Sequence, residues 1–253
     1  MSKFYKKVIV RPPSNSYINC ISSHPLKQTI DVETAKMQHE SFCAILQKLG
    51  LELIKLKPLE NHPDGCFVED CAIIYGDIAV ICRLGHESRK GEEREIERIL
   101  RKYKKIEKIS LRAILEGGNV LKTEKEIFVG ISKRTSINAI NQLRKIVRRK
   151  ITPIKLKNVI HLEQICTYLG YNIMLIAKKY LGMLPFSGYE IIEVNPEETY
   201  AANCLAYKDF VIVPKGYNQT IRKIKKKGFK IIEFETSEFE KGNGGITCLA
   251  LIF

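Results

Sequence analysis

The chain has 253 residues, with 42 Lys and Arg against 28 Asp and Glu, a formal net charge of +14 at pH 7 and 45% hydrophobic residues. That is enough apolar material for a sizeable core, and no linker-like or low-complexity stretch divides it, so one domain over residues 1–253 is expected. No run of about 18 apolar residues exists, which argues against a membrane-spanning helix, and none of the eight cysteines forms a CxxC pair, which argues against a zinc ribbon or a thioredoxin-type site.

In chain order, residues 7–11 (Lys-Val-Ile-Val-Arg) read as a short apolar strand. Apolar or small residues near i, i+3 and i+4 predict a helix over 32–49, stopped by Gly50, and a strand over 51–56 follows. Glu69 and Asp70 then lead into CAIIYGDIAVICR, which reads as strand, turn and second strand. A charged amphipathic helix is predicted over 92–103. The order returns at residues 116–119 (Glu-Gly-Gly-Asn) before VLKTEKEIFVGIS, with a helix over 136–149 behind it. It returns again at residues 161–164 (His-Leu-Glu-Gln) before ICTYLGYNIMLIA, and at residues 201–203 (Ala-Ala-Asn) before CLAYKDFVIVP. A helix over 220–227 and a strand over 229–234 follow. The last copy, Gly244-Gly245-Ile246-Thr247-Cys248 before LALIF, lacks a second strand, which residues 7–11 could supply.

Asp70, Asn119, Gln164, Asn203 and Cys248 mark equivalent places, separated by 49, 45, 39 and 45 residues. Repeats of this size are typical of modular architectures. The reading is a closed ring of five strand-helix modules whose strand starts face one centre; an open α/β sheet is the plainer alternative. In the ring, Asp64, Glu69, Asp70, Glu116, Asn119, His161, Asn203 and Cys248 converge. That set is too polar and acidic for an ordinary core, because buried charges need partners. A thiol and an imidazole beside carboxylates suggest a cationic substrate attacked by sulfur.

The positive charge gathers at residues 101–105, 144–150 and 222–227, which read as solvated helix faces. Nucleic acid is not favoured as a partner, because the aromatic-basic interleaving of single-strand binders is missing. The first residues lack an apolar signal region, and reduced thiols are the simplest reading of the cysteines, so a cytoplasmic protein is expected.

The same residues carry a family resemblance. Phe67-Val68-Glu69-Asp70 after Asp64, Ser88-Arg89, Leu115-Glu116-Gly117-Gly118-Asn119, Ser132-Lys133-Arg134-Thr135, His161-Leu162, Tyr200-Ala201-Ala202-Asn203 and the terminal Gly-Gly-Ile-Thr-Cys occur in order along the chain. With these motifs the chain resembles the dimethylarginine dimethylaminohydrolases of the guanidino-group-modifying (pentein) superfamily. The resemblance implies a five-bladed α/β propeller and a hydrolase that cleaves the guanidino C–N bond of arginine or a methylated arginine. Cys248 would be the nucleophile, His161 the proton carrier and Glu116 its support. Asp70 would hold the guanidinium, Glu69 would shape the pocket, Asp64 would take the α-amino group, and Arg89 and Arg134 would clamp the α-carboxylate. Ile18, near the tip of a lid over residues 14–27, and Phe67 would border the substrate. Neither metal nor organic cofactor is implied. The expected partner is a small guanidino amino acid, and pairing of two copies as a homodimer is compatible with the chain.

The chain departs from the family pattern at Asn243, where an Asp usually helps hold the guanidinium, and at Asn119, where relatives often have Asp. Both lower the acidity of the centre. The alternatives are arginine deiminase or amidinotransferase within the superfamily, whose chains are generally larger, and a non-catalytic basic propeller that binds RNA or the ribosome.

Overall fold

The structure, a computed structural model, describes residues 6–253; residues 1–5, on which the expectation of no signal region partly falls, lie outside the described residues. The repeat expected from the sequence is its organising feature. Five three-stranded sheets stand around a centre, each with two antiparallel strands, joined by a turn in four of the sheets, and a third strand parallel to the second.

Four of the sheets are contiguous in sequence: Ala72–Tyr75, Ile78–Ile81 and Lys105–Lys108; Val120–Lys122, Ile127–Ile131 and Ile151–Lys155; Cys166–Gly170, Ile173–Ala177 and Glu190–Val194; Leu205–Tyr207, Phe210–Pro214 and Lys230–Phe234. The fifth closes the ring. Lys7–Val10 pairs antiparallel with the C-terminal strand Leu251–Ile252 and parallel with Glu52–Lys55, so the missing strand of the last module comes from the start of the chain.

A parallel third strand needs a crossover connection, and helices supply it in four modules: Val32–Lys48, Glu93–Leu100, Ile137–Val147 and Asn218–Lys225. Asp31 caps the first by accepting the Glu33 and Thr34 N–H groups, and Ser136 caps the third through Ala139. Val32–Lys48 buries Ala35, Phe42, Cys43 and Leu46, with the Phe42 ring 5.1 Å from that of Phe234. Each such side chain contributes about 1.5–3 kcal/mol when fully buried. The fourth crossover uses a 3₁₀ segment, Lys178–Met183, in place of an α-helix, and a short helix, Ser237–Lys241, precedes the final motif.

Each first strand is preceded by a tight 3₁₀ turn: Val68–Cys71, Gly117–Asn119, Leu162–Gln164, Pro196–Ala202 and Thr247–Leu249. These are the polar segments of the sequence repeat. Consecutive turns touch around the centre, as do the turns at 68–71 and 247–249. Close approach depends on glycine at Gly117, where a Cβ would run into the Glu69 carbonyl oxygen.

Candidate active site

The turns project their side chains to two sides of a thin floor. On one side lies a small cavity of about 30 Å³, lined by Asp64, Phe67, Asp70, Arg89, Arg134, His161, Asn243 and Cys248 together with Ile21, Ile160, Gly242 and Gly244. Glu116 stands behind the lining, fully buried.

Cys248 sits on the turn Thr247–Leu249 and is 8% exposed. The Gly245 N–H donates to its Sγ at 3.4 Å. Asn203 fixes this turn from the neighbouring module: its Oδ1 accepts the Thr247 N–H at 3.1 Å, and its Nδ2 donates to Thr247 Oγ1 at 3.0 Å and to the Glu163 carbonyl at 2.9 Å. A Cβ at Gly245 would collide with the Asn203 amide, so the second glycine of the pair is required there. Asn119 does the same two modules earlier. Its Oδ1 accepts the Leu162 N–H and its Nδ2 donates to the Ile160 carbonyl, both at 3.0 Å, which pins the His161 turn. An aspartate could not donate to that carbonyl. Asn119 is thus a clamp, and its loss of charge relative to Asp serves the hydrogen-bond pattern.

His161 is 7% exposed and brings Nε2 to 2.7 Å from Glu116 Oε2 and 3.6 Å from Asp70 Oδ1. Burial opposes its positive charge, but the Asp70 and Glu116 carboxylates outweigh that and hold its pKa above the ordinary imidazole value. Glu116 is held down to about 2: burial alone would raise it, and the contacts with His161, Arg89 and Arg134 overcome that. The Gly85 N–H and Arg134 Nη1 both donate to Glu116 Oε1, at 2.9 and 3.0 Å. The Cys248 thiol is pushed up, first by burial and then by Glu69 and Asp70, so without a bound cation it rests as the thiol.

Asp70, Glu116 and His161 bring ligand-type atoms within 4.8 Å of one another. Each carboxylate already has protein partners, since Asp70 also accepts the Gly118 N–H at 3.0 Å and Arg89 Nη1 at 2.7 Å. The trio therefore reads as a charge network around an imidazole.

Three expected residues stand differently from the sequence reading. Arg89 is engaged by protein groups through four of its five N–H bonds: Nε and Nη2 to Glu92, Nη2 to the Phe67 carbonyl and Nη1 to Asp70. One Nη1 N–H has no hydrogen-bond partner among the described residues, with Glu116 Oε2 3.9 Å from that nitrogen, whereas Arg134 has only the Glu116 contact on its guanidinium among the described residues. Glu69 does not line this cavity; it faces the opposite side of the floor, where Thr247 Oγ1 approaches it at 2.8 Å. Successive residues of a tight turn project differently, so Asp70 and Glu69 part company. Ile18 is 44% exposed and outside the cavity; from the same segment, Ile21 lines it and donates its N–H to both Asp64 oxygens at 3.1 and 3.2 Å. Asp64 is raised by burial, with Arg89 opposing. Asn243 adopts the left-handed conformation, φ 59°, and donates to Ser23 Oγ at 3.1 Å, tying the 14–27 segment to the loop before the Cys248 turn.

Sequence reading missed Glu92. It is fully buried, receives Arg89 on both oxygens, and is raised to about 7 by burial despite Arg89. Its only signal was an acid three residues after Arg89 in a charged stretch that otherwise reads as surface.

The family model for N,N dimethylarginine dimethylhydrolase, eukaryotic, matches residues 11–252. The N(G),N(G)-dimethylarginine dimethylaminohydrolase of Pseudomonas aeruginosa is 33% identical over 98% of this chain and 100% of its own length. An uncharacterized protein of Aeropyrum pernix is also 33% identical, over 98% of this chain and 96% of its own. Among solved structures, a cysteine-to-serine mutant of the Pseudomonas enzyme complexed with citrulline superposes with a TM-score of 0.95 at 32% identity, covering 99% of this chain and 100% of that one.

Proposed function

The chain belongs to the dimethylarginine dimethylaminohydrolase family, and we propose that the cavity shared by Cys248 and His161 cleaves the guanidino C–N bond of arginine or a methylated arginine. The protein is an amidine hydrolase of the guanidino-modifying superfamily. The observation that carries the residue assignment is the meeting of Cys248, His161 and Asp70 at one cavity, with Glu116 2.7 Å behind the imidazole.

A guanidinium is resonance-stabilised and a poor electrophile. Asp70 aligns it through charge-assisted hydrogen bonds, and its positive charge replaces what the resting thiol lacks, so Cys248 ionises as the cation binds. The thiolate sulfur attacks the guanidinium carbon and gives a tetrahedral species. The C–N bond to ammonia or an alkylamine breaks as His161 delivers a proton to that nitrogen. With Nε2 on Glu116, Nδ1 is the ring atom left for this transfer. The S-alkylthiouronium that remains is attacked by water, which gives its proton to His161. The C–S bond then breaks as the new hydroxyl gives its proton to solvent, returning the thiolate and releasing a neutral ureido group, as in citrulline. Arg134, with the one free N–H of Arg89, would hold the α-carboxylate, and Asp64 the α-amino group.

The whole chain acts as one catalytic unit, because the side chains of this site come from turns spread from Asp64 to Cys248. The eight free, buried cysteines favour a reducing compartment and hence the cytoplasm; no helix among the described residues is long and apolar enough to cross a membrane. A homodimer is the proposed assembly, to be checked by light scattering. The test of function is a ureido-product assay with arginine, monomethylarginine, dimethylarginine and agmatine, reading ammonia and methylamines separately. Wild type turns over at least one carboxylate-bearing guanidine, and Cys248→Ser loses that turnover. An active Cys248→Ser enzyme refutes the scheme.

A further inference from the structure

The other side of the floor holds a second, larger cavity of about 230 Å³ along the ring axis, walled by the first strands of all five modules. It shares no lining residue with the Cys248 cavity. At its inner end stand Glu69, Glu163, Lys122 and Thr247. Two pairs of neighbours straddle the floor: Glu69 faces the axial cavity and Asp70 the Cys248 cavity, and Thr247 faces the axial cavity and Cys248 its own.

Hydrogen counting at Thr247 Oγ1 is decisive. Three groups meet this oxygen: Asn203 Nδ2 at 3.0 Å, Glu69 Oε2 at 2.8 Å and Glu163 Oε2 at 3.1 Å. The amide can only donate. The hydroxyl has one hydrogen and can give it to one carboxyl oxygen. The other carboxyl oxygen can bond here only by carrying a proton itself. The two carboxyls thus meet at one hydroxyl oxygen. One proton leaves the pair with a single negative charge; it supports the ammonium of Lys122, whose own charge burial opposes.

We propose that Glu69 and Glu163 share one proton at neutral pH and form, through Thr247, the support that positions Cys248, with Glu163 as a positioning residue. The charged and titratable groups that face the pair are Lys122 from strand Val120–Lys122, Asp70 beside Glu69, Cys248 across the floor, and the Cys166 thiol toward Glu163. Lys122 also donates to the Ile74 carbonyl at 3.3 Å. Burial raises both carboxyls. A second ionisation would set another negative charge behind the sulfur and take the hydrogen from one arm of Thr247.

The proton itself is tested without turnover, so its test is separate from that of the catalytic reading; only the consequence for rate rests on Cys248 as nucleophile. In Glu163→Gln the amide supplies an N–H where the shared proton stood, and the charge is unchanged. Cys248 alkylation by iodoacetamide, followed by mass spectrometry of the C-terminal peptide across pH, then keeps its wild-type midpoint. If both carboxylates were ionised, the same variant would remove a charge, and alkylation at pH 7 would rise by about tenfold; that result overturns the proposal. Buried Glu92 contributes its own protonated-carboxyl stretch near pH 7 in both proteins, so the infrared readout is the difference spectrum: wild type minus Glu163→Gln should show one protonated-carboxyl stretch, and a difference spectrum without it overturns the proposal equally. For positioning, Glu163→Ala should lower kcat about tenfold with KM within about twofold, and Glu163→Gln should restore it. An alanine variant with wild-type kcat, or a glutamine variant as slow as alanine, overturns the positioning role.

Discussion

Glu116→Gln removes the nearest opposite charge from His161 while keeping the side chain's shape. The carboxylate is fully buried and lies 2.7 Å from Nε2, against 3.6 Å for Asp70. A hydrogen bond to a charged group contributes about 1.5–3 kcal/mol. At ~1.4 kcal/mol per factor of ten, the variant loses roughly ten- to a hundredfold of its imidazolium at a pH where the wild-type ring is only partly protonated. NMR titration of the His161 ring should move to lower pH, and the pH profile of kcat/KM should lose its alkaline side in parallel. Stability carries the same signature. The raised His161 pKa contributes fully below the ordinary imidazole value of about 6.5, and that contribution is lost as pH rises through the raised value. The lowered Glu116 pKa contributes fully above the ordinary glutamate value of about 4.3, and that contribution is lost as pH falls toward about 2. The pair therefore stabilises wild type most between roughly pH 5 and 6.5, a maximum the variant lacks. A folded Glu116→Gln protein whose His161 titrates as in wild type refutes the reasoning.

Asn243→Asp adds a negative charge to the cavity wall at a left-handed position that Asp tolerates. KM for cationic guanidines should fall by about threefold to tenfold, with the order of preference among arginine, monomethyl- and dimethylarginine altered; an unchanged substrate panel counts against it. Arg134→Ala should lower kcat/KM for arginine relative to agmatine by about ten- to a hundredfold, because agmatine has no carboxylate to lose; an unchanged ratio removes Arg134 from that role. Arg89→Ala should instead cost about 3–5 kcal/mol of stability in denaturant unfolding, since it strands Asp70 and Glu92.

The ring was legible because each module repeats its own punctuation. A polar turn, an apolar strand, a tight turn and a second strand recur at near-constant spacing, and the unpaired final strand pointed to residues 7–11 as its partner, where Val8 indeed faces Ile252. Helix limits were less legible, since caps and local contacts set them: residues 92–103 shrink to Glu93–Leu100, and Ile137–Val147 ends where Arg148 turns left-handed. The fourth crossover has no sequence signal for its 3₁₀ form beyond Gly182 in a short loop.

The residue types at the centre were legible; their directions were not. Glu69 and Asp70 look equivalent in a sequence, yet the floor separates them, and the same holds for Thr247 and Cys248. Direction is set by which backbone dihedrals a 3₁₀ turn adopts, and that depends on contacts far along the chain: Gly117 against the Glu69 carbonyl, and Asn203 against Thr247. Arg89 shows the other limit. Its charge and position suggested a ligand contact, but Glu92, three residues on and fully buried, takes two of its donors, and Asp70 and the Phe67 carbonyl take two more. A buried ion pair and a substrate clamp use the same residue types, so only the count of occupied N–H groups separates them. By that count Arg134, paired with Glu116 through Nη1 alone, keeps more donors open than Arg89 does, and Asp70 and Glu116 face the imidazole. A bound guanidinium would then be the group that completes the charge balance at Cys248.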